Sequence, residues 1–320
     1  VAIFDPANEQ IASRHLVAAA YELPLTDADE DVFGAGWRER AQRLLAAGEL
    51  RDAGGRGRLP RRSEFVALRI ALRSASADSV AVIERGAGEM LGLVEAERAF
   101  TTIHPGAVYL HLGRSYEVEQ LDVRERRALV SKFDGDWYTR PKKETDIYIE
   151  RIREQREVAG VQLNFGEVSV TEQVIAFQRV SIADNEPLDI VALELPEQSF
   201  VTQALWYVLP EGNFGTLPPD VLLGALHATE HGQIAVLPLI AMCDRWDIGG
   251  LSTNVHFQTG RSTIFIYDGH PGGVGITKRG YEEFERLLGD AERLIAECPC
   301  ESGCPSCVQS PKCGNLNEPL

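Results

Sequence analysis

The sequence predicts an α+β fold built in three successive parts. Three short helical patterns open the chain, strand patterns with a two-residue period fill its middle, and helices and strands mix in the last part. A chain of 320 residues is long for one hydrophobic core, so two or three domains are expected. Apolar residues make up 44% of the chain and charged residues 25%, as in ordinary globular proteins.

The first part, residues 1–76, has the element order of a winged helix. A helix is predicted to begin at Asn8, an N-cap residue, and to end before Pro24. The string TDAD from Thr26 places an acid three positions after a cap residue and opens a short second helix. A third helical pattern begins at Trp37. The string RDAGGRGRLPRRSEFVALRIAL then indicates a strand, a glycine-rich tip and a second strand.

Arginines are concentrated in this part, although the protein as a whole is acidic. The net charge is −16, which argues against an indiscriminate nucleic-acid binder. Residues 37–73 nevertheless carry ten arginines against four acids, a local charge of +6, which leaves −22 on the rest of the chain. Either the hairpin contacts DNA, as the wing of a winged helix does, or its arginines are simply solvated. The candidate DNA-binding residues are Arg51, Arg56, Arg58, Arg61 and Arg62.

The second part, residues 77–180, is predicted to be a β-rich, barrel-like module. Its strand-like runs, which include SVAVIERG, EMLGLVEA and TDIYIERIRE, are broken by Gly, Asp and Pro. Several short strands at close spacing suggest a small antiparallel barrel or sandwich. A connecting module is the simplest interpretation of this part.

The third part, residues 181–320, is predicted to be a mixed α/β domain. PPDVLLGALHATEHGQIAVLPLIAM indicates a long helix, and NVHFQTGRSTIFIYD supplies strands. KRGYEEFERLLGDAERLIAE indicates an amphipathic helix, whose apolar side carries Phe284, Leu287, Leu288, Ala291 and Leu294. The chain then enters a stretch that holds five of its six cysteines.

These cysteines have the spacing C-x-C-x₃-C-x₂-C-x₅-C. The chain does not open with a signal peptide, so a cytoplasmic setting is expected, where disulfides are uncommon. A redox dithiol at Cys304 and Cys307 would belong near a βαβ unit, which the pattern lacks. Four cysteines in tight turns favour structural zinc, while an iron–sulfur cluster takes the same number of ligands and stays open.

Two further motifs are candidates for chemistry. HATEH matches the pattern H-x-x-E-H of zinc hydrolases, with His227 and His231 as ligands and Glu230 as base, although two histidines packed on a helix face are the favoured explanation. YDGHPGGVGITKRG is a glycine-rich turn between a strand and a helix, where backbone amides can hold an anion. It lacks the Gly-Lys of an ATPase loop, and no such dipeptide occurs in the chain. The polar and glycine residues of interest in this turn are Asp268, His270, Gly272, Gly273 and Gly275.

Several strings together resemble one family of motor proteins. They are ELPLTDAD, TIHPGAVYLHLG, GALHATEHGQIAVLPLIAMCDRWDIGGLST, IFIYDGHPGGVGI and CPCESGCPSCVQSPKCGNLNEPL. They are similar to the C-terminal half of superfamily II DNA helicases of the mitomycin-repair-factor type, which are RecQ-like relatives. The resemblance implies ATP-dependent 3′→5′ unwinding by the whole protein, with a role in DNA repair. It also implies two motor lobes that precede a winged helix and a zinc domain.

Carried onto this chain, the resemblance assigns one structural zinc ion to Cys298, Cys300, Cys304 and Cys307. Cys313 is a fifth cysteine outside that set. Both motor lobes are missing from these residues, so the chain is expected to be a C-terminal region without ATPase activity. The expected partners are DNA, as a single strand or a fork, and the motor lobes of the same polypeptide, in the cytoplasm at the nucleoid and without a membrane.

Two other functions stay open at this stage. A stand-alone zinc hydrolase would use His227, Glu230 and His231, and an acidic protein-interaction scaffold would use the negative surface. Metal content separates the first from the DNA-binding interpretation, because a hydrolase zinc depends on the histidines. A DNA-binding measurement separates the protein-interaction scaffold from the DNA-binding interpretation.

Overall fold

The computed structural model describes residues 8–52, 58–60, 66, 79–210, 212 and 217–319. Three of the predicted DNA-binding arginines, Arg56, Arg61 and Arg62, lie outside the described residues. Arg51 is exposed, and Arg58 is described only by the strand in which it lies. Among the helices of the described part, none combines the length and the apolar character that crossing a membrane requires.

The first part contains the predicted helices and a short β-hairpin, while most of the stretch after Pro60, predicted as the second strand, lies outside the described residues. Helices α1 (Glu9–Glu22), α2 (Glu30–Phe33) and α3 (Trp37–Ala46) are followed by the antiparallel strands β1 (Leu50–Asp52) and β2 (Arg58–Pro60). Their buried side chains form a small core of their own, made by Leu16, Ala20, Leu25, Trp37, Ala41 and Leu50. Trp37 and Ala41, one turn apart on α3, therefore pack with α1 and β1 to close this core.

The helix starts follow the predicted capping chemistry. Asn8 accepts a bond from the amide of Ile11 at 3.1 Å, so it caps α1. Asp29 accepts a bond from the amide of Thr26 at 2.6 Å, which closes the turn at Asp27–Asp29 before α2. After α3, Gly48 takes a φ of 75°, a left-handed conformation that glycine adopts without strain.

A five-stranded sheet follows, in the order β4-β3-β7-β6-β5. The strands are β3 (Ser79–Glu84), β4 (Met90–Glu95), β5 (Val108–His111), β6 (Arg114–Asp122) and β7 (Arg127–Lys132). The sheet differs from the expected antiparallel module in two respects. Strands β3 and β7 pair in parallel, and helix α4 (Ala96–Thr102) lies between β4 and β5. A parallel pair needs a long connection, and the intervening strands and α4 provide it.

A second sheet has the order β10-β9-β11-β13-β12, with β8 also paired to β9. Its strands are β8 (Trp137–Val158), β9 (Val161–Ser181), β10 (Pro187–Ala192), β11 (Gln198–Val208), β12 (Ile248–Thr253) and β13 (Thr263–Asp268). Because β9 pairs with β11 along eleven residue pairs, the sheet runs across the predicted division between residues 180 and 181. Hydrogen bonding is therefore continuous at that division.

Three helices pack against this second sheet. Helix α5 (Pro219–Ala241) is the predicted long helix, while the predicted amphipathic segment forms α6 (Ile276–Glu282) and α7 (Phe284–Ala296). Their apolar faces share one core with β9, β11 and β13, through residues such as Phe165, Leu205, Leu237, Ile266 and Phe284. After α7, residues 297–319 contain neither helix nor strand.

The glycine-rich turn between β13 and α6 is organised by a buried carboxylate. Asp268 accepts bonds from the amides of Val274, Gly275, Ile276 and Thr277, at 2.6 to 3.3 Å. The amides that could have held an external anion thus bind the chain's own side chain, and the turn is a structural junction between strand and helix. A phosphate of DNA has no place at these amides while Asp268 holds them.

The same turn joins the first part of the chain to the last. The amide group of Asn8, at the start of α1, donates to the carbonyl of Gly273. A side chain at position 272 would lie 2.9 Å from Asn8, and one at position 273 would lie 2.7 Å from Gln203. Both glycines also have positive φ, at 80° and 74°. Glycine is therefore required here for close packing and for backbone geometry.

We expect Asp268→Ala to lower the free energy of unfolding by about 2–4 kcal/mol, because several buried amides would lose their acceptor. Urea titration in the presence of zinc measures the loss. Asp244→Ala is the matched control, since its carboxylate accepts a bond from the amide of Trp246 at an exposed position and should cost only about 1 kcal/mol. Equal losses in the two variants would contradict the role given to Asp268.

Candidate metal centre

Four cysteines meet directly after α7. The sulfur atoms of Cys298, Cys300, Cys304 and Cys307 all lie within 4.8 Å of one another. Four of the six sulfur–sulfur distances lie between 3.5 and 3.7 Å. Sulfurs at the corners of a tetrahedron around zinc are about 3.8 Å apart, given a Zn–S bond of about 2.3 Å. The four thiols therefore match a tetrahedral zinc site.

The backbone around these cysteines forms the turns that such a site needs. The amide of Cys307 donates to the carbonyl of Cys304 at 3.0 Å, and the amide of Cys304 donates to the sulfur of Cys307 at 3.3 Å. Gly303 has a φ of 81°, and a side chain there would lie 2.7 Å from Val308. Amide-to-sulfur bonds stabilise thiolates, which are the ligand form of cysteine.

The thiols also influence one another's ionisation. The amide of Ser306, together with the neighbouring thiols, lowers the pKa of Cys304 to about 7. Contact with Cys307 and Cys298 raises the pKa of Cys300. Thiolates this close repel one another, so all four ionise together only when a cation neutralises them. One divalent ion bound between the four sulfurs would allow all four thiols to ionise.

The two histidines of HATEH meet the fifth cysteine. His227, His231 and Cys313 form a second group whose ligand atoms all lie within 4.8 Å of one another. The Nε2 atom of His227 is 3.4 Å from the sulfur of Cys313. Both histidines are buried, and burial lowers the pKa of His227, while burial and the neighbouring His227 lower the pKa of His231 to about 4. Both rings are therefore neutral at pH 7.

Glu230 does not lie beside the two histidines, where the base of a hydrolase would have to be. Its side chain is buried against β12, where a side chain at position 250 would lie 2.4 Å from its carboxylate. Burial raises the pKa of Glu230 to about 7. The carboxyl group therefore faces the sheet, and the motif contributes its histidines without its acid.

Lys312 ties the segment between the two cysteine groups to the domain. Its amino group donates to the carbonyls of Arg245 and Ile248. Burial lowers the pKa of Lys312 to about 7, although Glu172 and Glu230 lie near enough to oppose the shift. The residue was not singled out from the sequence, because one lysine in a cysteine-rich tail carries no pattern that indicates burial.

The remaining predicted site residues lie apart from both cysteine groups. Asp268, Gly272, Gly273 and Gly275 belong to the turn before α6, and His270 there contacts Asp247, with 3.1 Å between ring nitrogen and carboxylate oxygen. Arg51 lies on β1. The structure thus brings together the four predicted zinc ligands, and adds a His–His–Cys group whose third member the spacing of the motif did not reveal.

Comparison with known proteins agrees with both ends of this architecture. Residues 229–308 match the family described as the MrfA Zn-binding domain, and residues 4–71 match the winged helix domain of the ATP-dependent helicase HRQ1. The zinc-binding match includes all four clustered cysteines. The winged helix match includes α1 to α3 and the β1–β2 hairpin.

Full-length relatives share most of this chain. It is 31% identical to "Uncharacterized ATP-dependent helicase YprA" of Bacillus subtilis over 95% of this chain and 41% of that protein. It is 28% identical to the ATP-dependent helicase HRQ1 of Saccharomyces cerevisiae over 97% of this chain and 30% of that protein. The chain therefore spans between about a third and two fifths of these relatives.

Solved structures show the same fold. The crystal structure of the DUF1998 helicase MrfA matches with a TM-score of 0.65 and 29% identity, over 97% of this chain and 44% of that one. The structure of MrfA bound to DNA matches with a TM-score of 0.58 and 30% identity, over 99% of this chain and 42% of that one. By domain matches, relatives and fold, this chain corresponds to the winged-helix and zinc-binding C-terminal region of MrfA-type helicases.

Proposed function

We propose that this chain is a DNA-binding, structural and non-catalytic region of an ATP-dependent 3′→5′ DNA helicase that acts in DNA repair. The observation that carries the proposal is an arginine-rich hairpin directly after a three-helix core, in a chain similar to a helicase solved with DNA. In this proposal residues 1–76 form the winged helix, residues 77–180 the β-rich module and residues 181–320 the zinc domain. The partners are DNA, as a single strand or a fork, and the motor lobes, at the bacterial nucleoid.

The ion pairs of the first part support the hairpin as the DNA contact. Arg38 pairs with Asp27 and Glu30, while Arg40 and Arg43 pair with Glu9. Three arginines of the basic stretch are thus neutralised within the helices. Arg51, on β1 of the hairpin, is exposed and has no such pairing among the described ion pairs, which supports the hairpin as the surface that meets phosphates.

The zinc in this proposal has a structural role. The four-cysteine site uses all four tetrahedral positions, which leaves none for a substrate. It follows α7 directly and begins a segment of more than twenty residues without helix or strand. Such a segment has few backbone bonds of its own, so the metal would supply much of its order.

Replacement of Arg56, Arg58, Arg61 and Arg62 by Gln should weaken DNA binding and make it less dependent on salt. Each lost phosphate contact reduces the slope of log K against log salt concentration by roughly 0.9 on duplex and 0.7 on single strands. Fluorescence anisotropy with duplex, single-stranded and forked DNA across a salt titration measures both quantities. Forked DNA is included because it tests which form is preferred.

The matched control removes the same charge from exposed arginines of the first sheet, namely Arg114 at the start of β6, Arg124 and Arg126 in the turn between β6 and β7, and Arg127 at the start of β7. This control should bind like the unaltered chain apart from a small loss due to net charge. If the control loses binding and the folded hairpin variant keeps it, the DNA contact lies on the first sheet instead of the hairpin.

The purified chain should show no DNA-stimulated ATP hydrolysis. The sequence has no Gly-Lys phosphate loop, and the amides of its glycine-rich turn bind Asp268. A phosphate-release assay with and without DNA measures the activity, and a mock purification from cells that lack the chain controls for contaminating ATPases. Turnover that rises with DNA and copurifies with the chain would disprove this expectation.

Cys300→Ser should release zinc from the four-cysteine site and lower the melting temperature of the domain strongly. A structural site of this kind contributes on the order of 10 kcal/mol. Elemental analysis and thermal unfolding measure the two effects. Cys243→Ser is the control, because Cys243 belongs to neither group of metal-binding residues. This variant should keep its zinc. Iron and visible absorbance in the unaltered chain would show that the four cysteines hold an iron–sulfur cluster and would contradict the zinc assignment.

A further inference from the structure

We propose that His227, His231 and Cys313 form a second zinc site, separate from the four-cysteine site. The ligands would be the Nε2 atoms of both rings and the thiolate sulfur, with water in the fourth position. The site would fasten the end of the chain to helix α5. It goes beyond the proposed function, since it depends on neither DNA binding nor the helicase motor.

The hydrogen bonds of the two rings define which nitrogen is available. The Nδ1 atom of His227 is 2.8 Å from the carbonyl of Pro319, and that of His231 is 2.6 Å from the carbonyl of Val308. A carbonyl only accepts, so each Nδ1 must carry the proton and each Nε2 must carry a lone pair. A histidine that donates one ring N–H to a carbonyl while its other nitrogen is free is the usual form of a metal ligand.

The free nitrogens and the thiol then converge. The Nε2 atom of His227 is 3.4 Å from the sulfur of Cys313, and the ring centroids of the histidines are 4.2 Å apart. Tetrahedral zinc places a nitrogen and a sulfur ligand about 3.5 Å apart, given bonds of about 2.0 and 2.3 Å. The spacing of His227 and Cys313 therefore suits zinc, and the third ligand atom, from His231, lies within 4.8 Å of both.

The histidines are held by helix geometry. Residues four apart on a helix share one face, so α5 presents both rings side by side. Cys313 approaches that face on the tail, where the amide of Asn317 donates to its sulfur at 3.3 Å. Asn317 also bonds Ser310 through its side-chain oxygen and its side-chain nitrogen, at 2.7 and 3.1 Å. The thiol is therefore positioned by a loop with bonds of its own.

The position of the second site explains the path of the tail. Val308, whose carbonyl orders His231, directly follows Cys307 of the four-cysteine site. The two sites would thus hold the short segment 308–313 at both ends against α5. Binding would convert the thiol of Cys313 to a thiolate with the release of one proton, and both imidazoles would bind in their neutral form.

A simple Cys–His hydrogen bond is the competing explanation, in which the thiol donates to Nε2 of His227 without a metal. Metal stoichiometry separates the two explanations. The chain, purified under reducing conditions with zinc and freed of loosely bound metal by gel filtration, should contain two zinc ions. One zinc ion per chain would establish the hydrogen bond and overturn the second site.

Variants then locate each ion. Cys313→Ser should retain one zinc ion, as should the double variant His227→Asn and His231→Asn, in which the amide groups can keep the bonds to Pro319 and Val308. Cys243→Ser should retain two, as the control for cysteine replacement. Two zinc ions in folded Cys313→Ser and in the folded double variant would place the second ion elsewhere and overturn the proposal.

A measurement on the unaltered chain avoids any effect of substitution on folding. After exchange with ¹¹³Cd, two resonances are expected, one typical of four thiolates and one shifted upfield, typical of one thiolate with two nitrogens. A lone four-thiolate resonance would overturn the second site and leave the four-cysteine site intact. Because the two sites have separate resonances, failure of one is distinguishable from failure of the other.

Discussion

Four thiols within 4.8 Å of one another share a volume in which they cannot all carry negative charge without a cation. This constraint governs the end of the chain, because residues 297–319 have neither helix nor strand to order them. The tail is instead held from outside by side chains of the domain. His227 and His231 bond its carbonyls, and Lys312 extends from it to the carbonyls of Arg245 and Ile248. The domain core of α5 and the second sheet therefore provides the surface on which the cysteines become a site.

Hydrogen bonds between buried polar groups also join the first and last parts of the chain. Asp268 occupies the amides at the start of α6, and the turn that it shapes accepts a bond from Asn8 at the start of α1. Close contact with Asn8 and Gln203 leaves room only for glycine at two positions of the turn. A motif that looked suited to external anions is thus an internal junction. Its glycines serve the packing of two parts of the chain, which lie more than 260 residues apart in the sequence.

Charge is distributed by the tertiary structure in a way that net charge does not describe. The basic stretch of the first part contains arginines that are already paired with Glu9, Asp27 and Glu30, which lie on the surface of the same part of the chain. Surface pairs of this kind contribute little stability, but they do decide where positive charge is available. Among the described residues of this stretch, Arg51 on β1 is exposed and presents a positively charged surface. An acidic protein can meet DNA through such a surface, because exposed charges act over only about 8–10 Å at physiological salt.

Local chemistry was sufficient to predict the caps at Asn8 and Thr26, the long helix α5 and the four cysteines that meet, because each depends on residues a few positions apart. The family and the α+β class were also readable from strings of this length. Strand β11, the parallel pairing of β3 with β7 and the sheet that runs across residue 180 were not, because pairing partners far apart in sequence decide them. The HATEH segment also has one feature that local sequence decides and one that long-range packing decides. Helical spacing placed two histidines on one face, but only the folded tail brought Cys313 to them and turned Glu230 toward β12. Sequence determines which groups can act as ligands, whereas tertiary packing decides which of them share a volume.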